Sequence, residues 1–206
     1  AAKAPAEGNR ADLVNFVNNI ARPVNAMKGD SLPVSAFKDC ADGTYPQGAS
    51  AYDKRGVAVK VPVWHAENCI QCNQCAYVCP HAAIRPILLD EKEAAAAPEG
   101  FDTVPAKGAG LDKYKFRMQV SPYDCTGCGS CVNVCPMSTN QALSMTPLSL
   151  QLKEAPNWTY AVEEVSIKKD AVSSKSVKNS QFAKPYFEFS GACAGCGETP
   201  YIKLVT

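Results

Sequence analysis

The amino-acid sequence predicts an α+β fold with an internal pseudo-twofold repeat. Two blocks of four cysteines, at 69–80 and 125–136, match each other under a constant offset of 56 residues, and Pro80 recurs as Pro136 under the same shift. The stretch 114–120 alternates apolar and polar side chains, which is typical of a strand. Two similar halves that share one core are therefore expected in the middle of the chain, with helical and irregular segments on either side.

Composition and charge exclude several classes of protein. The chain has 206 residues with 21 basic and 20 acidic side chains, so its net charge of +1 creates no field that would attract nucleic acid or an anionic membrane surface. It contains no run of 18 apolar residues, and its first residues lack the apolar core of a signal peptide. We therefore expect a cytoplasmic protein that binds neither nucleic acid nor membrane. Its 11 cysteines should then be reduced and available as metal ligands, because disulfides are rare in the cytosol.

Residues 1–60 predict a leading helix followed by an irregular module. Apolar side chains recur at helical spacing over 13–20, Asp12 is placed to cap this helix, and Pro23 is expected to end it. The part from residue 30 onward is rich in proline and glycine, which favours loops. Alternation over 57–64 then predicts a strand at the start of the next domain.

The rest of the chain divides into three predicted parts. Residues 61–147 contain both cysteine blocks and form the central domain, interrupted at about 90–112 by a stretch rich in Ala, Pro and Gly that is typical of a mobile insertion. Residues 148–190 are polar and are interpreted as a connector, and 191–206 contain the last two cysteines. Four lysines of the connector are expected on a solvated loop: Lys168, Lys169, Lys175 and Lys178.

Each cysteine block has the spacing C-x2-C-x2-C-x3-C-P, which is typical of a cubane [4Fe–4S] site in bacterial ferredoxins. The first three thiolates of a block hold one cluster, whereas the fourth lies on a helix that carries it to the other cluster, so the two halves are locked together. The spacing therefore predicts a ferredoxin-like domain with two [4Fe–4S] clusters. We assign to the first cluster Cys69, Cys72, Cys75 and Cys135, and to the second Cys125, Cys128, Cys131 and Cys79.

The residues around the blocks agree with this assignment. Gly127 and Gly129 are expected to let backbone N–H groups approach cluster sulfurs. Five apolar side chains are expected to exclude water from the clusters: Ile70, Val78, Ile84, Val132 and Val134. Zinc is the main alternative metal, but four-cysteine zinc sites usually pair two C-x2-C motifs across a longer gap. A brown colour with broad absorption near ~400 nm would distinguish iron–sulfur clusters from zinc.

A last C-x2-C pair, Cys193 and Cys196, is a less specific signal. No cysteine follows it, and only Cys40 is unassigned upstream, so these three cannot complete a four-thiolate site. The pair is compatible with two free thiols or with half of a site whose other ligands lie elsewhere. A single cysteine such as Cys40 is more often a small buried residue than a ligand. No catalytic residue is assigned, and no glycine-rich nucleotide motif occurs.

Three segments, in this order, resemble one family. Residues 42–56, DGTYPQGASAYDKRG, resemble the Glu-Lys-Arg module of the pyruvate:ferredoxin (flavodoxin) oxidoreductases, with Asp53 in the place of the usual glutamate. The paired cubane motif follows, as it does in that family. Residues 187–201, FEFSGACAGCGETPY, resemble the start of the family's thiamine-diphosphate domain. We therefore assign residues 191–206 to the beginning of that domain. The resemblance covers nearly the whole chain from about residue 12.

The resemblance implies oxidative decarboxylation of pyruvate with coenzyme A to acetyl-CoA and CO2. In that family thiamine diphosphate and Mg2+ act on the substrate, and three [4Fe–4S] clusters pass electrons to ferredoxin or flavodoxin. By resemblance, Cys193 and Cys196 would be two ligands of the third cluster. This segment would carry electron transfer only, beside the remaining domains of a homodimeric oxidoreductase. Two alternatives stay open: a free-standing dicluster ferredoxin, and the iron–sulfur part of another 2-oxoacid oxidoreductase.

Overall fold

The computed structural model describes residues 10–190, 192 and 196–206, and its mixture of helices and strands confirms the predicted α+β class. The chain divides into two compact units, of which the first ends at Arg55 and the second starts at Gly56. None of the helices within the described ranges combines the length and the apolarity needed to span a lipid bilayer.

A continuous helical segment opens the first unit. It consists of α1 (Ala11–Phe16), a π-helical turn (Val17–Ala21) and α2 (Arg22–Asn25). The predicted end at Pro23 was wrong, because the π-helical turn precedes the proline and places it in the first turn of α2, where a missing N–H is tolerated. The predicted cap was also wrong, since Asp12 lies inside α1 and the residue before the helix makes no side-chain capping bond.

Short 3-10 helices form much of the rest of the first unit. They span Gly29–Ser31, Val34–Cys40 and Ala49–Tyr52. A small core joins Leu13 and Val17 of the helical segment to Ala49. Cys40, expected to be a buried singleton, is only half-buried at the end of the second 3-10 helix.

Five short strands form two antiparallel sheets in the described part of the second unit. One sheet pairs β1 (Lys60–Trp64) with β5 (Leu143–Pro147), so the segment before the first cysteine block is joined to the segment after the second. In the other sheet, β4 (Lys115–Val120) lies between β2 (Ile84–Leu89) and β3 (Val104–Pro105). Both strands predicted from alternation are present, as β1 and β4.

Helices lie between and after these strands. They are α3 (Gln74–Tyr77), α4 (Glu91–Ala96), α5 (Ser130–Asn133), α6 (Leu148–Gln151), α7 (Ala155–Glu163), α8 (Val177–Ser180) and α9 (Thr199–Val205). Two 3-10 helices span Ala66–Asn68 and Leu152–Glu154. Because α3 and α5 each lie inside a cysteine block, they help to set the positions of the thiols.

Alternate side chains of a strand point to opposite faces of a sheet. Both faces of the three-stranded sheet are covered, so both sets of side chains are buried. On one face Phe116 packs in the same core as Cys75 and Cys131. On the other face Leu89 packs with Ala161 of α7. The first face therefore borders the cysteine blocks, and α7 covers the second.

The prediction of a mobile insertion at 90–112 was wrong, since this stretch contains α4 and β3. The Asp90 carboxylate accepts from the Glu93 N–H at 2.9 Å, and the Glu93 carboxylate accepts from the Asp90 N–H at 3.0 Å. This capping box, followed by an alanine run, favours a helix and was overlooked in the sequence. Phe101 is buried against Tyr160 of α7, so the stretch contributes to the core.

The stretch 148–190, expected to be a polar connector, contributes to both faces of the three-stranded sheet. Its Ala171 and Phe182 pack in the core that contains Cys75 and Cys131, whereas its helix α7 covers the outer face. Helix α7 buries Trp158 and Ala161 there. Lys168 was expected on a solvated loop, but it is only 9% exposed, and its Nζ donates to both carboxylate oxygens of Glu93 at 2.7 and 2.5 Å. An ammonium group is rarely buried unless it is paired, and its partner here lies 75 positions away in the sequence.

Candidate metal centres

The two cysteine blocks share an unusual backbone conformation. Gln71 and Asn73 of the first block have positive φ angles of 59° and 63°, and Gly127 and Gly129, 56 positions later, have angles of 73° and 78°. This left-handed conformation is uncommon for residues other than glycine. The sequence offset between the blocks is thus repeated in the local backbone of their loops.

Backbone N–H groups donate to the first sulfur of each block. The Gln71 nitrogen lies 3.3 Å from Cys69 Sγ, and the Gly127 nitrogen lies 3.4 Å from Cys125 Sγ. Hydrogen bonds of this kind stabilise thiolates and tune the reduction potential of a bound cluster. Because a residue with a side chain makes the bond in the first block, glycine is not required for it.

Close packing explains why glycine occupies position 127. A Cβ atom there would lie 2.8 Å from the Lys60 carbonyl oxygen and 3.2 Å from Ala58 Cβ, so β1 could not approach the loop. At Gly129 a Cβ atom would meet nothing within 4 Å. Both glycines were expected to let N–H groups approach sulfur. Gly127 has a second role, because it also lets β1 pack closely against the second cysteine loop.

Helices α3 and α5 carry the third cysteine of each block into the core. Cys75 and Cys131 are both buried, whereas the two cysteines that precede each of them are half-buried or exposed. Cys75 Sγ lies 3.8 Å from Met118 Sδ on β4. The three-stranded sheet thus shields the inner thiols of both blocks from solvent.

One small cavity brings cysteines from both blocks together. Cys79 of the first block lines it with three cysteines of the second block, namely Cys125, Cys128 and Cys131. The Ala83 N–H donates to Cys79 Sγ at a nitrogen to sulfur distance of 3.3 Å. This set of four is the one predicted for the second cluster, including the cysteine that crosses from the other block.

The thiols of this cavity need a cationic partner in order to ionise. Burial raises the pKa of Cys125 and of Cys131 to about 12, and the proximity of other cysteines adds to the effect. Burial also raises the pKa of Cys79, although hydrogen bonds from backbone N–H groups oppose it. Several thiolates at this place require a compensating positive charge, which the iron core of a cluster supplies. The donor set therefore fits an iron–sulfur cluster.

Of the four cysteines predicted for the first cluster, only three are shown to lie near one another. Burial raises the pKa of the Cys75 thiol, and the proximity of Cys131, Cys69 and Cys72 adds to the shift, so Cys69 and Cys72 lie near Cys75. Cys135 makes local hydrogen bonds, since its N–H donates to the Val132 carbonyl at 3.2 Å. The structure thus brings three of the four together, and the placement of Cys135 with them stays a prediction.

Metal-ligating side chains in the described ranges do not form a site for a single ion. Nowhere in 10–190, 192 and 196–206 do three His, Cys, Asp or Glu side chains come together closely enough to hold one metal ion. Thiolates bound to separate corners of a cubane lie further apart than the ligands of one ion. The spacing of the cysteines is therefore compatible with a cluster.

The apolar surroundings of the cysteines agree only in part with the prediction. Ile84 is buried, and Val132 packs against the main core. Val78 and Val134 are half-buried. Ile70 was expected to exclude water from a cluster, but 46% of it is exposed, because its loop lies at the surface. The first cysteine loop thus presents an apolar side chain to solvent.

The last cysteine pair is described only at its second member. Cys193 lies outside the described residues, and Cys196 is half-buried, with its carbonyl accepting from Thr199 Oγ1 at 3.1 Å. Helix α9 begins at Thr199, and its Lys203 lies close enough to interact electrostatically with Cys79. Burial lowers the pKa of Lys203, and the proximity of Cys79 opposes this shift. Helix α9 therefore lies within electrostatic range of Cys79.

Two polar residues of the first cysteine loop were not singled out in the sequence. Gln71 is buried, its Nε2 donates to the Pro105 carbonyl at 2.9 Å, and its Oε1 accepts from the Lys107 N–H at 2.7 Å. Asn73 is also buried and donates to the Lys178 carbonyl at 2.8 Å. The second block has glycine at both equivalent positions. This difference between the blocks was the sequence signal that could have indicated a special role for Gln71 and Asn73. The first loop is thus attached by side chains to two segments that are distant in sequence.

Arg85 on β2 holds the segment that precedes the last cysteine pair. Its NH2 group lies 2.5 Å from Glu188 Oε2, and its Nε donates to the Ala82 carbonyl at 2.7 Å. The guanidinium also lies over the rings of Trp158 and Phe189, at 5.0 and 5.4 Å from their centroids. This contact fixes the approach of the chain toward Cys196 on the outer face of the sheet, and the sequence showed no sign of it.

Two family models match the chain. One, named EKR and described as a domain of unknown function, matches residues 2–58. The other, described as a 4Fe-4S double cluster binding domain, matches residues 68–138. The second match includes both cysteine blocks and confirms the prediction of two [4Fe–4S] clusters.

Curated relatives match nearly the whole chain. It is 52% identical over 194 residues to a pyruvate-flavodoxin oxidoreductase of Enterobacter agglomerans, and 53% identical over 192 residues to a pyruvate:ferredoxin oxidoreductase of Moorella thermoacetica. It is also 48% identical over 197 residues to a pyruvate dehydrogenase (NADP+) of Cryptosporidium parvum. These matches cover 94%, 93% and 95% of this chain but only 16%, 16% and 10% of the relatives. The chain therefore spans about one sixth of the length of the first two, and the resemblance stated from its motifs is confirmed.

Proposed function

We propose that this chain, a homologue of one segment of the pyruvate-flavodoxin and pyruvate:ferredoxin oxidoreductases, transfers electrons within an oxidoreductase of that kind. The overall reaction is the oxidative decarboxylation of pyruvate with coenzyme A to acetyl-CoA and CO2, with ferredoxin or flavodoxin as acceptor. The observation that carries the proposal is the cavity in which Cys79 joins three cysteines of the other block, within the segment that matches the double-cluster family. From the same relationship we propose that the intact oxidoreductase is cytoplasmic and homodimeric, and that it uses thiamine diphosphate and Mg2+ as cofactors.

The ligand sets follow the crossover pattern. We propose that the first cluster is held by Cys69, Cys72, Cys75 and Cys135, and the second by Cys125, Cys128, Cys131 and Cys79. When bound, a [4Fe–4S] cluster supplies one-electron chemistry. The repeated loop conformation and the repeated N–H to sulfur bond support a pseudo-twofold relation between the two sites.

The protein contributes charge stabilisation and the exclusion of water. Backbone N–H groups donate to Cys69, Cys79 and Cys125, which favours their thiolate forms. The apolar face of the three-stranded sheet, which includes Phe116, separates the inner thiols from solvent. A low local dielectric of this kind strengthens the interactions between charges and dipoles near a cluster.

The two cluster sites face different parts of the chain. The segment leading to Cys196 is held on β2 by Arg85, and α9 places Lys203 near Cys79. We infer that the second cluster site faces the electron donor, whose iron–sulfur ligands would include Cys193 and Cys196. The first cluster site would then face the external carrier.

A different final acceptor has specific support. The relative from Cryptosporidium parvum, 48% identical, is named a pyruvate dehydrogenase that uses NADP+. The segment described here is thus compatible with more than one acceptor at the end of the electron path. A test on the intact protein is coenzyme A-dependent reduction of ferredoxin, flavodoxin or NADP+ by pyruvate, with 2-oxoglutarate as the alternative substrate. Turnover with 2-oxoglutarate but not pyruvate would favour another 2-oxoacid oxidoreductase.

The ligand assignment is tested by comparing alanine variants with reference variants. Cys69→Ala defines the EPR spectrum of reduced protein that lacks an intact first cluster, and Cys125→Ala defines the spectrum that lacks an intact second cluster. We expect Cys79→Ala to match Cys125→Ala and Cys135→Ala to match Cys69→Ala, although each lies in the other block. Iron analysis of the unmodified segment should give about eight iron atoms for two cubanes. The reverse pairing of spectra would refute the crossover, and a colourless zinc protein would refute the clusters themselves.

A further inference from the structure

A positively charged surface borders the first cysteine loop. Three segments, 69–77, 105–110 and 175–180, together contain three lysines and no acidic residue, whereas the whole chain has a net charge of only +1. They are far apart in sequence, so their charge pattern becomes meaningful only if the fold brings them together.

Hydrogen bonds join these three segments. Lys107 Nζ donates to the Cys69 carbonyl at 3.3 Å, and Lys178 Nζ donates to the Lys107 carbonyl. On the other side, Asn73 Nδ2 donates to the Lys178 carbonyl at 2.8 Å. Lys178 is also close enough to interact electrostatically with Cys69 and Cys72. Both ammonium groups are therefore held beside the loop that contains the first two ligands of the first cluster.

Exposed apolar side chains accompany these lysines. Ile70, between the ligands Cys69 and Cys72, is 46% exposed, and Val177, next to Lys178, is 45% exposed. An apolar patch with a charged rim is the usual composition of a protein–protein contact, and electron-transfer complexes use small contacts of this kind. The surface thus has the features of a docking site beside the first cysteine loop.

We propose that this surface, formed by Ile70, Lys107, Lys175, Val177 and Lys178 and called here the lysine face, docks an acidic electron-carrier protein that exchanges electrons with the first cluster. The proposal rests on the proposed function and specifies the surface at which electrons leave the protein for their carrier. The complementary charge of the lysine face selects an acidic partner, because opposite potentials raise the rate of encounter and fix orientation. The rival exit is the exposed Cys128 of the second block, whose neighbours Thr126, Gly129 and Ser130 are uncharged.

Association kinetics with a purified acidic bacterial ferredoxin test this proposal, with a flavodoxin in a parallel arm. The protein carries its clusters, and the double variant K107Q/K178Q is compared with K92Q, which removes the same kind of charge from an exposed position on α4. We expect K107Q/K178Q to lower the association rate constant by about 10-fold at low ionic strength. The difference should vanish near 1 M salt, where screening is strong. K92Q should behave like the unmodified protein.

Lys178 also makes structural contacts, so a second variant keeps the test decisive. Lys175 is exposed, and Lys175→Glu reverses one charge of the lysine face without removing those contacts. It should slow association in the same salt-dependent way, with unchanged visible absorption and EPR signals. Unchanged association in both variants, with clusters intact, would overturn the docking proposal and leave the electron-transfer function in place. Slower association with only one of the two carriers would identify that carrier as the partner, and failure of the unmodified protein to hold clusters would instead overturn the proposed function.

Discussion

The ion pair between Glu93 and Lys168 should be the main link between α4 and the segment that follows α7. Besides Lys168 Nζ, the Glu93 carboxylate accepts from the Ser166 N–H at 3.0 Å and from the Asp90 N–H at 3.0 Å. Burial by itself would raise the pKa of Glu93, but these bonds outweigh it and hold the pKa at about 2, against an ordinary value of 4.5. The native structure therefore strongly favours the charged carboxylate.

The size of this preference gives the expected effect of Glu93→Gln. One pKa unit corresponds to about 1.4 kcal/mol, so the difference between 4.5 and about 2 corresponds to about 3 kcal/mol. Glutamine keeps the shape but leaves the Lys168 ammonium buried beside a neutral amide, which is costly. We expect the variant to lose about 2–3 kcal/mol of local stability. Glu91→Gln, an exposed change in the first turn of the same helix, should cost no more than about 1 kcal/mol.

The pH dependence has a definite sign. Because the folded pKa of Glu93 is depressed, its contribution is complete above pH 4.5 and is lost as the pH falls from about 4.5 toward 2. The difference between the unmodified protein and Glu93→Gln should therefore be constant from pH 6 to 8. Below that range it should shrink as the carboxylate of the unmodified protein is protonated.

Native-state amide hydrogen exchange measures this local stability without global unfolding, which would destroy the clusters. Protection of the α4 amides and of the Ser166 N–H should fall in Glu93→Gln. Adding Lys168→Met should restore part of it, because it removes a buried charge that would keep only the more distant Asp90 carboxylate, at 3.8 Å, as its ionic partner. Equal losses in Glu93→Gln and Glu91→Gln, or no restoration in the double variant, would refute the reasoning.

Two further substitutions test contacts near the cysteines. Gly127→Ala should cost about 1–3 kcal/mol more than Gly129→Ala, because both positions have a positive φ but only the first brings a new Cβ against β1. The thermal loss of cluster absorbance measures it, and equal loss temperatures for the two variants would contradict the packing argument. Arg85→Met should make local opening of 187–190 easier by about 3 kcal/mol, as measured by native-state proteolysis, since Glu188 loses a largely buried partner. Lys184 is the exposed second partner of Glu188 and offers the control: Lys184→Met should change this opening free energy by less than about 1 kcal/mol, and a larger effect than that of Arg85→Met would count against the assignment.

Local patterns in the sequence predicted the features that depend on local chemistry. Cysteine spacing predicted the domain with two [4Fe–4S] clusters, and side-chain alternation located β1 and β4. The capping box at Asp90 was equally local and could have been recognised. The alanine run after it was interpreted as an insertion because proline and glycine follow closely.

Long-range partners could not be predicted in the same way. Lys168 is buried only because Glu93, 75 positions earlier, lies beside it. The glycines at the equivalent positions of the second block set Gln71 and Asn73 apart, but they do not identify Pro105 and Lys178 as the partners of these side chains. A charge or an amide in a single sequence carries no information about distant groups that satisfy it, so burial of these residues required the structure.

The alternation along β4 has a consequence for how the fold must assemble. Phe116 faces the thiols, whereas Arg117 points to the opposite side, where its guanidinium bonds the Glu154 carboxylate at 2.7 Å. A shift of one residue in the pairing of β2 with β4 would exchange these faces and direct Arg117 toward the clusters. Such a misaligned strand pair would bury an unpaired cation and expose the sulfurs to water. Correct strand alignment is therefore a condition for cluster insertion, and slow or faulty pairing would yield chains unable to retain iron.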